Sequence, residues 1–220
     1  MPVKQVLRLA LIGLLGAAYL WLGHLASISA DPPLLSILIG LAPLSVSAVL
    51  LAVHSRSAWL IALCAAGLLG MLVYIDFLRA NMAWVYFIQH AGMHTMLGLM
   101  FGRTLSRDRT VALCSQISCF VYSKETLDAK FFDYAWAVTV MWTIYFAFTT
   151  ALSTLLFFFG PLSVWSVYAN LLTPVIIGLL FVVEYAIRIR VLPNRQHAGI
   201  AGSIRAYREF SQQRQAKLPH

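Results

Sequence analysis

Apolar residues run along this chain in six stretches, at about 9 to 29, 34 to 53, 57 to 75, 82 to 102, 135 to 159 and 164 to 187. An α-helix needs about 20 residues to cross roughly 30 Å of hydrocarbon at 1.5 Å per residue. The pattern therefore predicts an all-α polytopic membrane protein, a bundle of about six transmembrane helices. No stretch alternates apolar and polar residues with a period of two, so a lipid-facing β-barrel is disfavoured. The six spans and their connections make residues 1–192 a single helical domain, followed by a polar, basic tail over 193–220.

The connections are punctuated. Asp31-Pro32-Pro33 offers a helix cap followed by proline, and Gly160-Pro161-Leu162-Ser163 offers a glycine stop, a proline breaker and a fresh cap at Ser163. The long connection, residues 103–134, carries Val111, Leu113, Ile117, Phe120 and Val121 at helical spacing among polar residues. This predicts either an amphipathic helix lying on the membrane or a loop packed beneath the bundle.

Composition agrees with the pattern: 60% of the 220 residues are hydrophobic, 11% are charged, and the mean hydropathy is +0.79. The net charge of +8 changes the picture only through its placement. With both termini in the cytoplasm, fifteen of the sixteen Lys and Arg fall inside and Arg79 falls outside. That is a positive-inside distribution, which reads as orientation and as contact of the basic cytoplasmic loops with anionic headgroups; no nucleic-acid role is expected. Lys4 and Arg8 precede the first stretch, which at about 20 residues is longer than a secretory h-region and predicts an uncleaved signal anchor. Cys64, Cys114 and Cys119 match no disulfide framework or metal spacing.

The candidate chemistry lies in the polar residues of the spans. His90, His94, Gly98 and Gly102 follow at intervals of four, a ridge that winds slowly around the helix, and Gly98 and Gly102 form a GxxxG that lets another helix approach closely. His90 lies roughly 12 Å below the outer end of its span, Asn170 roughly 9 Å and His24 roughly 8 Å. Pro174 removes the N–H that would bond the carbonyl of residue 170, predicting a kink beside Asn170 and Thr173, and Thr149 and Thr150 reach a similar depth. The candidate site is an outer-half polar pocket of His24, Gln89, His90, His94, Asn170 and Thr173. These residues can equally be interhelical hydrogen-bonding glue. At the inner end, Glu184 and Arg188 face one way at i and i+4 and predict an ion pair or anchor. HExxH, GxSxG, P-loop and paired carboxylates are all missing, so no metal, no cofactor and no standard catalytic set is expected. An intramembrane transferase using His90 or His94 as base is one alternative. A haem or redox protein pairing His24 with His90 is another.

"QHAG" at 89–92, "FGRTL" at 101–105, Thr139-Val-Met-Trp142, "WSVYANLL" at 165–172 and "EYAIRIRVLP" at 184–193 stand in an order that resembles an uncharacterised family of bacterial inner-membrane proteins. Its members are encoded in aryl polyene and xanthomonadin-type pigment clusters, and some carry the misleading name ketosynthase. The resemblance covers roughly residues 85 to 193; the earlier spans match only in hydrophobicity. Where the family typically reads Tyr-Thr-Arg-Arg-Val-Thr, this chain has Tyr134-Ala-Trp-Ala-Val-Thr139. Both arginines are lost, so a contact they make is either taken over by Lys130 or absent. The resemblance implies a setting rather than a reaction: an accessory membrane protein of aryl polyene lipid biosynthesis. In that setting it docks cytoplasmic acyl carrier or ketosynthase-type enzymes, or handles and translocates the lipid-linked product.

Overall fold

A computed structural model describes residues 3–29, 34–55, 57–106, 108–121 and 127–192. The Asp31-Pro32-Pro33 turn, Arg56, Arg107, Lys124 and the basic tail over 193–220 lie outside these residues.

All regular structure among the described residues is helical: α1 (Val3–Ile28), α2 (Leu34–Ser55), α3 (Ala58–Val73), α4 (Ile75–Ala80), α5 (Met82–Gly102), a 3-10 turn (Arg109–Val111), α6 (Leu113–Val121), α7 (Ala129–Phe159), α8 (Leu162–Ser166), a π-helical turn (Val167–Leu172) and α9 (Thr173–Val191). Each of the six apolar stretches is helical. Among the described residues, three helices are long and apolar enough to cross a membrane: Ala10–Ile28, Ala129–Phe159 and Leu162–Val191. The third stretch yields only 16 residues before the break at Tyr74, about 24 Å of helix, and α4 continues beyond it. The fourth stretch, α5, has 21 residues, but Gln89, His90 and His94 dilute its apolarity.

The ends of the helices have local causes. Asp128 accepts a hydrogen bond from the Phe131 N–H at 2.9 Å, so α7 begins at residue 129, before its apolar stretch starts. After Phe159 the Gly160 N–H closes onto the Leu156 carbonyl, and a Cβ at Gly160 would lie 2.8 Å from that oxygen, so only glycine fits. The next helix does not use Ser163 as its cap. Pro161 occupies the N-cap (φ −63°, ψ 135°) and Ser163 lies inside the first turn of α8; proline's fixed φ and missing N–H suit that entry.

Large apolar side chains face outward and polar ones inward. Phe159 is 84% exposed and Trp59 72%, whereas Thr139, Thr149, Ser153 and Ser166 are wholly buried. A soluble chain sorts the other way, so this distribution and the three apolar helices point to a membrane protein. Along α7 the buried positions begin at Phe131 and continue through Ala135, Thr139, Trp142, Phe146, Thr149 and Ser153, at steps of four and three that keep one face toward protein.

The chain divides into two compact units. One comprises Met1–Met93 and Ala151–Val175, the other His94–Thr150 and Ile176–His220. In the first unit, Ala26, Met82, Tyr86, Trp165 and Ala169 form the core. Phe87 stacks on Phe157 with ring centroids 4.2 Å apart, and the edge of Trp165 meets both. Glycines admit Tyr86: a Cβ at Gly40 would lie 2.8 Å from its hydroxyl, and one at Gly23 would lie 3.6 Å from its ring. In the second unit, Phe131, Ala135 and Leu192 cluster at one end, while Trp142 packs on Phe146 and Phe181. Gly98 would place a Cβ 3.4 Å from the Phe146 Cβ, and Gly102 one 3.2 Å from the Thr143 methyl. The glycines of the winding ridge therefore bring α5 close against α7.

Residues 103–106 and 108–121 belong to a folded connection in the second unit. The 3-10 turn is capped by Asp108, which accepts from the Thr110 N–H at 3.0 Å. The first N–H groups of α6 are satisfied by threonine side chains: Leu113 N–H donates to Thr104 Oγ1 at 3.0 Å and Cys114 N–H to Thr139 Oγ1 at 3.2 Å. Ala112 and Ser115 are fully buried, whereas Val111 and Ile117 face outward. Of the two expectations for this segment, α6 is packed against the helices through its small residues and presents apolar ones outward.

Candidate functional site

The first unit ties its polar side chains into two hydrogen-bonded groups. In one, His24 Nδ1 lies 2.8 Å from Ser166 Oγ, Ser27 Oγ lies 2.5 Å from the same oxygen, and Ser27 donates to the His24 carbonyl at 2.9 Å. Asn170 Nδ2 donates toward Ser166 Oγ at 3.2 Å and Ser27 Oγ at 3.3 Å. This group fastens α1 to α8 and the π turn.

The other group is built around His90 and joins α5, α7 and α9. His90 Nδ1 is 3.0 Å from Ser153 Oγ and Nε2 is 3.3 Å from Thr173 Oγ1. The direction of these bonds follows from their neighbours. Thr173 uses its single hydroxyl proton to donate to the Tyr168 carbonyl at 2.9 Å, so toward His90 it accepts. Nε2 therefore carries the proton, Nδ1 accepts, and Ser153 donates to it. Ser153 in turn accepts from the Trp165 indole N–H at 3.0 Å. The proton donors run one way, from Trp165 through Ser153 and His90 to Thr173 and the Tyr168 carbonyl. A neutral imidazole satisfies every member of that series. Both ring nitrogens face hydroxyls, which leaves neither directed at a metal or haem iron.

The π turn explains why Thr173 can serve this series. Both the N–H and the hydroxyl of Thr173 reach back five residues to Tyr168, one residue further than α-helical spacing. Pro174, expected to kink the helix, follows immediately, and the extra residue of the π turn lies in the segment before it.

His94 belongs to the second unit. It is buried at 5% exposure, with its ring 5.9 Å from Phe146 and 6.4 Å from Tyr145. In the same unit, Thr149 is wholly buried and Thr150 donates to the Phe146 carbonyl at 2.9 Å. Gln89 is half-buried on α5, with its Nε2 atom fully enclosed and without a hydrogen-bond partner among the described residues. Of the six candidate pocket residues, His24 and Asn170 share one group, and His90 and Thr173 share the other. Ser27, Ser153, Trp165 and Ser166, absent from the candidate list, complete both. Sequence signals existed for two of them: Ser153 continues the buried four-three alternation of α7, and Trp165 opens the "WSVYANLL" stretch.

At the other end of the second unit, Glu184 is 6% exposed and meets Arg188 twice, with Arg188 Nε at 2.9 Å from Oε1 and Nη2 against Oε2. The Tyr134 hydroxyl lies 3.0 Å from Glu184 Oε1 and 3.1 Å from the Glu184 carbonyl, linking the start of α7 to α9. Lys130 is exposed. Arg109 pairs with Asp133 and lies over the Trp136 ring at 5.4 Å, so a cation does occupy the start of α7, supplied by the preceding connection.

Cys114 lies close enough to this group to feel its charges. Burial pushes the thiol above its ordinary range, Thr139 and Arg188 pull it down, and Glu184 pushes it further up. A raised value means less thiolate at neutral pH. In a Cys64→Ala/Cys119→Ala protein, Cys114 is expected to alkylate more slowly than a free thiol at pH 7. Its rate should still be climbing about one pH unit above the ordinary thiol pKa of ~8.5, where a free cysteine has levelled off; a plateau by that pH counts against the buried environment.

In comparisons with known proteins, no family model matches the chain, and no curated protein or solved structure matches it.

Proposed function

We propose that this chain is a six-span helical protein of a bacterial inner membrane with both termini in the cytoplasm. Residues 1–192 form its membrane domain, and it serves aryl polyene lipid biosynthesis as an accessory component that handles the lipid-linked product. The three long apolar helices and the distribution of Lys and Arg support the membrane setting. The quoted stretches between residues 85 and 193 support the pathway. The observation that carries the handling role is the one-way hydrogen-bond series through His90. Polar groups are costly among apolar helices, and a membrane protein concentrates them where a polar part of a substrate passes.

A second reading, docking of acyl carrier or ketosynthase-type enzymes, is favoured by one feature: α6 is pinned by Thr104 and Thr139, and it and the 3-10 turn before it turn Ile117 and Val111 outward. An intramembrane transferase is less well supported, because His90 has both nitrogens committed to hydroxyls.

The test is pigment-lipid yield in a deletion strain complemented with His90→Ala/His94→Ala, with membrane protein level followed in parallel. Product handling predicts at least a several-fold loss of pigment lipid at normal protein level. Normal pigment at normal protein level would reduce the histidines to packing and move attention to α6.

A further inference from the structure

Away from its hydrogen-bonded groups, the first unit holds a groove between α2 and α3 with a cavity of about 280 Å³. Ser45, Ala48 and Val49 of α2 form one wall, and α3 forms the other from Leu63 to Met71, with Gly67 at its middle. Small residues make the space: a Cβ at Gly67 would meet nothing within 4 Å. The groove opens outward, since Leu63 is 54% exposed and no residue of α3 is buried. Its few polar groups are turned on one another. The Ser45 hydroxyl donates to Met71 Sδ at 3.8 Å and the Cys64 thiol to the Ala48 carbonyl at 3.5 Å, so each ties one wall to the other with its single proton.

We infer that this groove is a binding site for one linear hydrocarbon chain of a membrane lipid. Leu63 and Met71 stand roughly 12 Å apart along α3, so the cavity averages roughly 23 Å² in cross-section. An alkyl chain that touches its neighbours at about 4 Å fills a tube about 5 Å wide, roughly 20 Å². One chain therefore fits along the groove, whereas a helix, about 10 Å across, does not enter. With the hydroxyl and thiol protons both committed, the walls offer a polar headgroup no donor. Lipid is as apolar as the groove, so the preference comes from contact: a chain here touches wall on both sides, and at a convex helix face on only one. The site rests on the membrane setting and is independent of the pigment pathway.

The experiment uses the full-length protein in phosphatidylcholine nanodiscs doped with a phosphatidylcholine that carries a diazirine midway along one acyl chain. After photolysis, adducts are mapped by peptide mass spectrometry. They should fall on Leu63 and Leu68 of the groove at least fivefold more often than on Leu69 and Val73, which helical spacing places on the opposite face of α3. Exposure alone predicts the reverse, because Leu69 and Val73 are 62% and 69% exposed against 54% and 39% for the groove pair. Gly67→Leu fills the groove from a position with room for a side chain, and should remove the excess while leaving the Leu69 and Val73 adducts unchanged. Ala48→Leu narrows it from the other wall and should do the same. Even labelling of both faces of α3 overturns the site, since the lipid there is then an ordinary solvating layer. An excess that survives both substitutions overturns it too. So does a Cys64–Cys64 disulfide between two copies under mild oxidation without groove adducts, which would assign the groove to a second copy of this chain.

Discussion

Trp165→Ala is expected to destabilise the first unit by about 3–5 kcal/mol, the range for emptying a large buried aromatic site. Trp165 is fully buried, its ring edge meets Phe87 and Phe157, and its N–H feeds Ser153. Alanine would leave a cavity and remove the donor that starts the series through His90. Trp165→Phe separates these effects, because it fills most of the volume and loses only the N–H, a change of about 1 kcal/mol. Thermal unfolding of the purified protein, with near-ultraviolet circular dichroism as the report on aromatic packing, gives both numbers. If alanine and phenylalanine cost the same, the hydrogen bond rather than the ring holds this region together.

Glu184→Ala should be the most damaging change in the second unit, at about 2–4 kcal/mol. Removing one partner of a buried pair typically costs about 3–5 kcal/mol, and the 33% exposure of the Arg188 side chain lowers that by letting the guanidinium turn outward. Tyr134 keeps the main-chain carbonyl as acceptor in the variant, which limits the loss further. Glu184→Gln retains an acceptor for both partners and should cost roughly half as much. A double-mutant cycle with Arg188→Ala measures the pair directly; a coupling below about 0.5 kcal/mol would show that Glu184 contributes through Tyr134 instead.

Hydrophobic runs of about 20 residues made the helices legible, because length and apolarity are properties of the local sequence. Helix ends were less so. The start of α7 depends on the cap at Asp128 and on polar residues beyond the apolar run, and the break at Tyr74 has no glycine or proline to announce it. At the candidate site, histidine and asparagine stand out in an apolar helix, and His24, His90, Asn170 and Thr173 each hold a place in a hydrogen-bonded group. Serine does not stand out. Ser27, Ser153 and Ser166 look ordinary in such a helix, and their role appears only when a second helix supplies the partner. The π turn was hidden for a related reason: Pro174 announces a disturbance, but the register is chosen by Thr173 clasping Tyr168.

The hydroxyls of α7 bear on the order in which the chain is assembled. Thr139, Thr143 and Thr150 each donate to the carbonyl four residues earlier, at 2.8–2.9 Å, so their polarity is masked within the helix itself. Ser153 differs, since its partners His90 and Trp165 come from other helices. Helix α7 therefore needs no neighbouring helix to satisfy these three threonine hydroxyls. His90 gains its hydroxyl partners only when α7 and α9 lie against α5, so its pairing follows the packing of those helices.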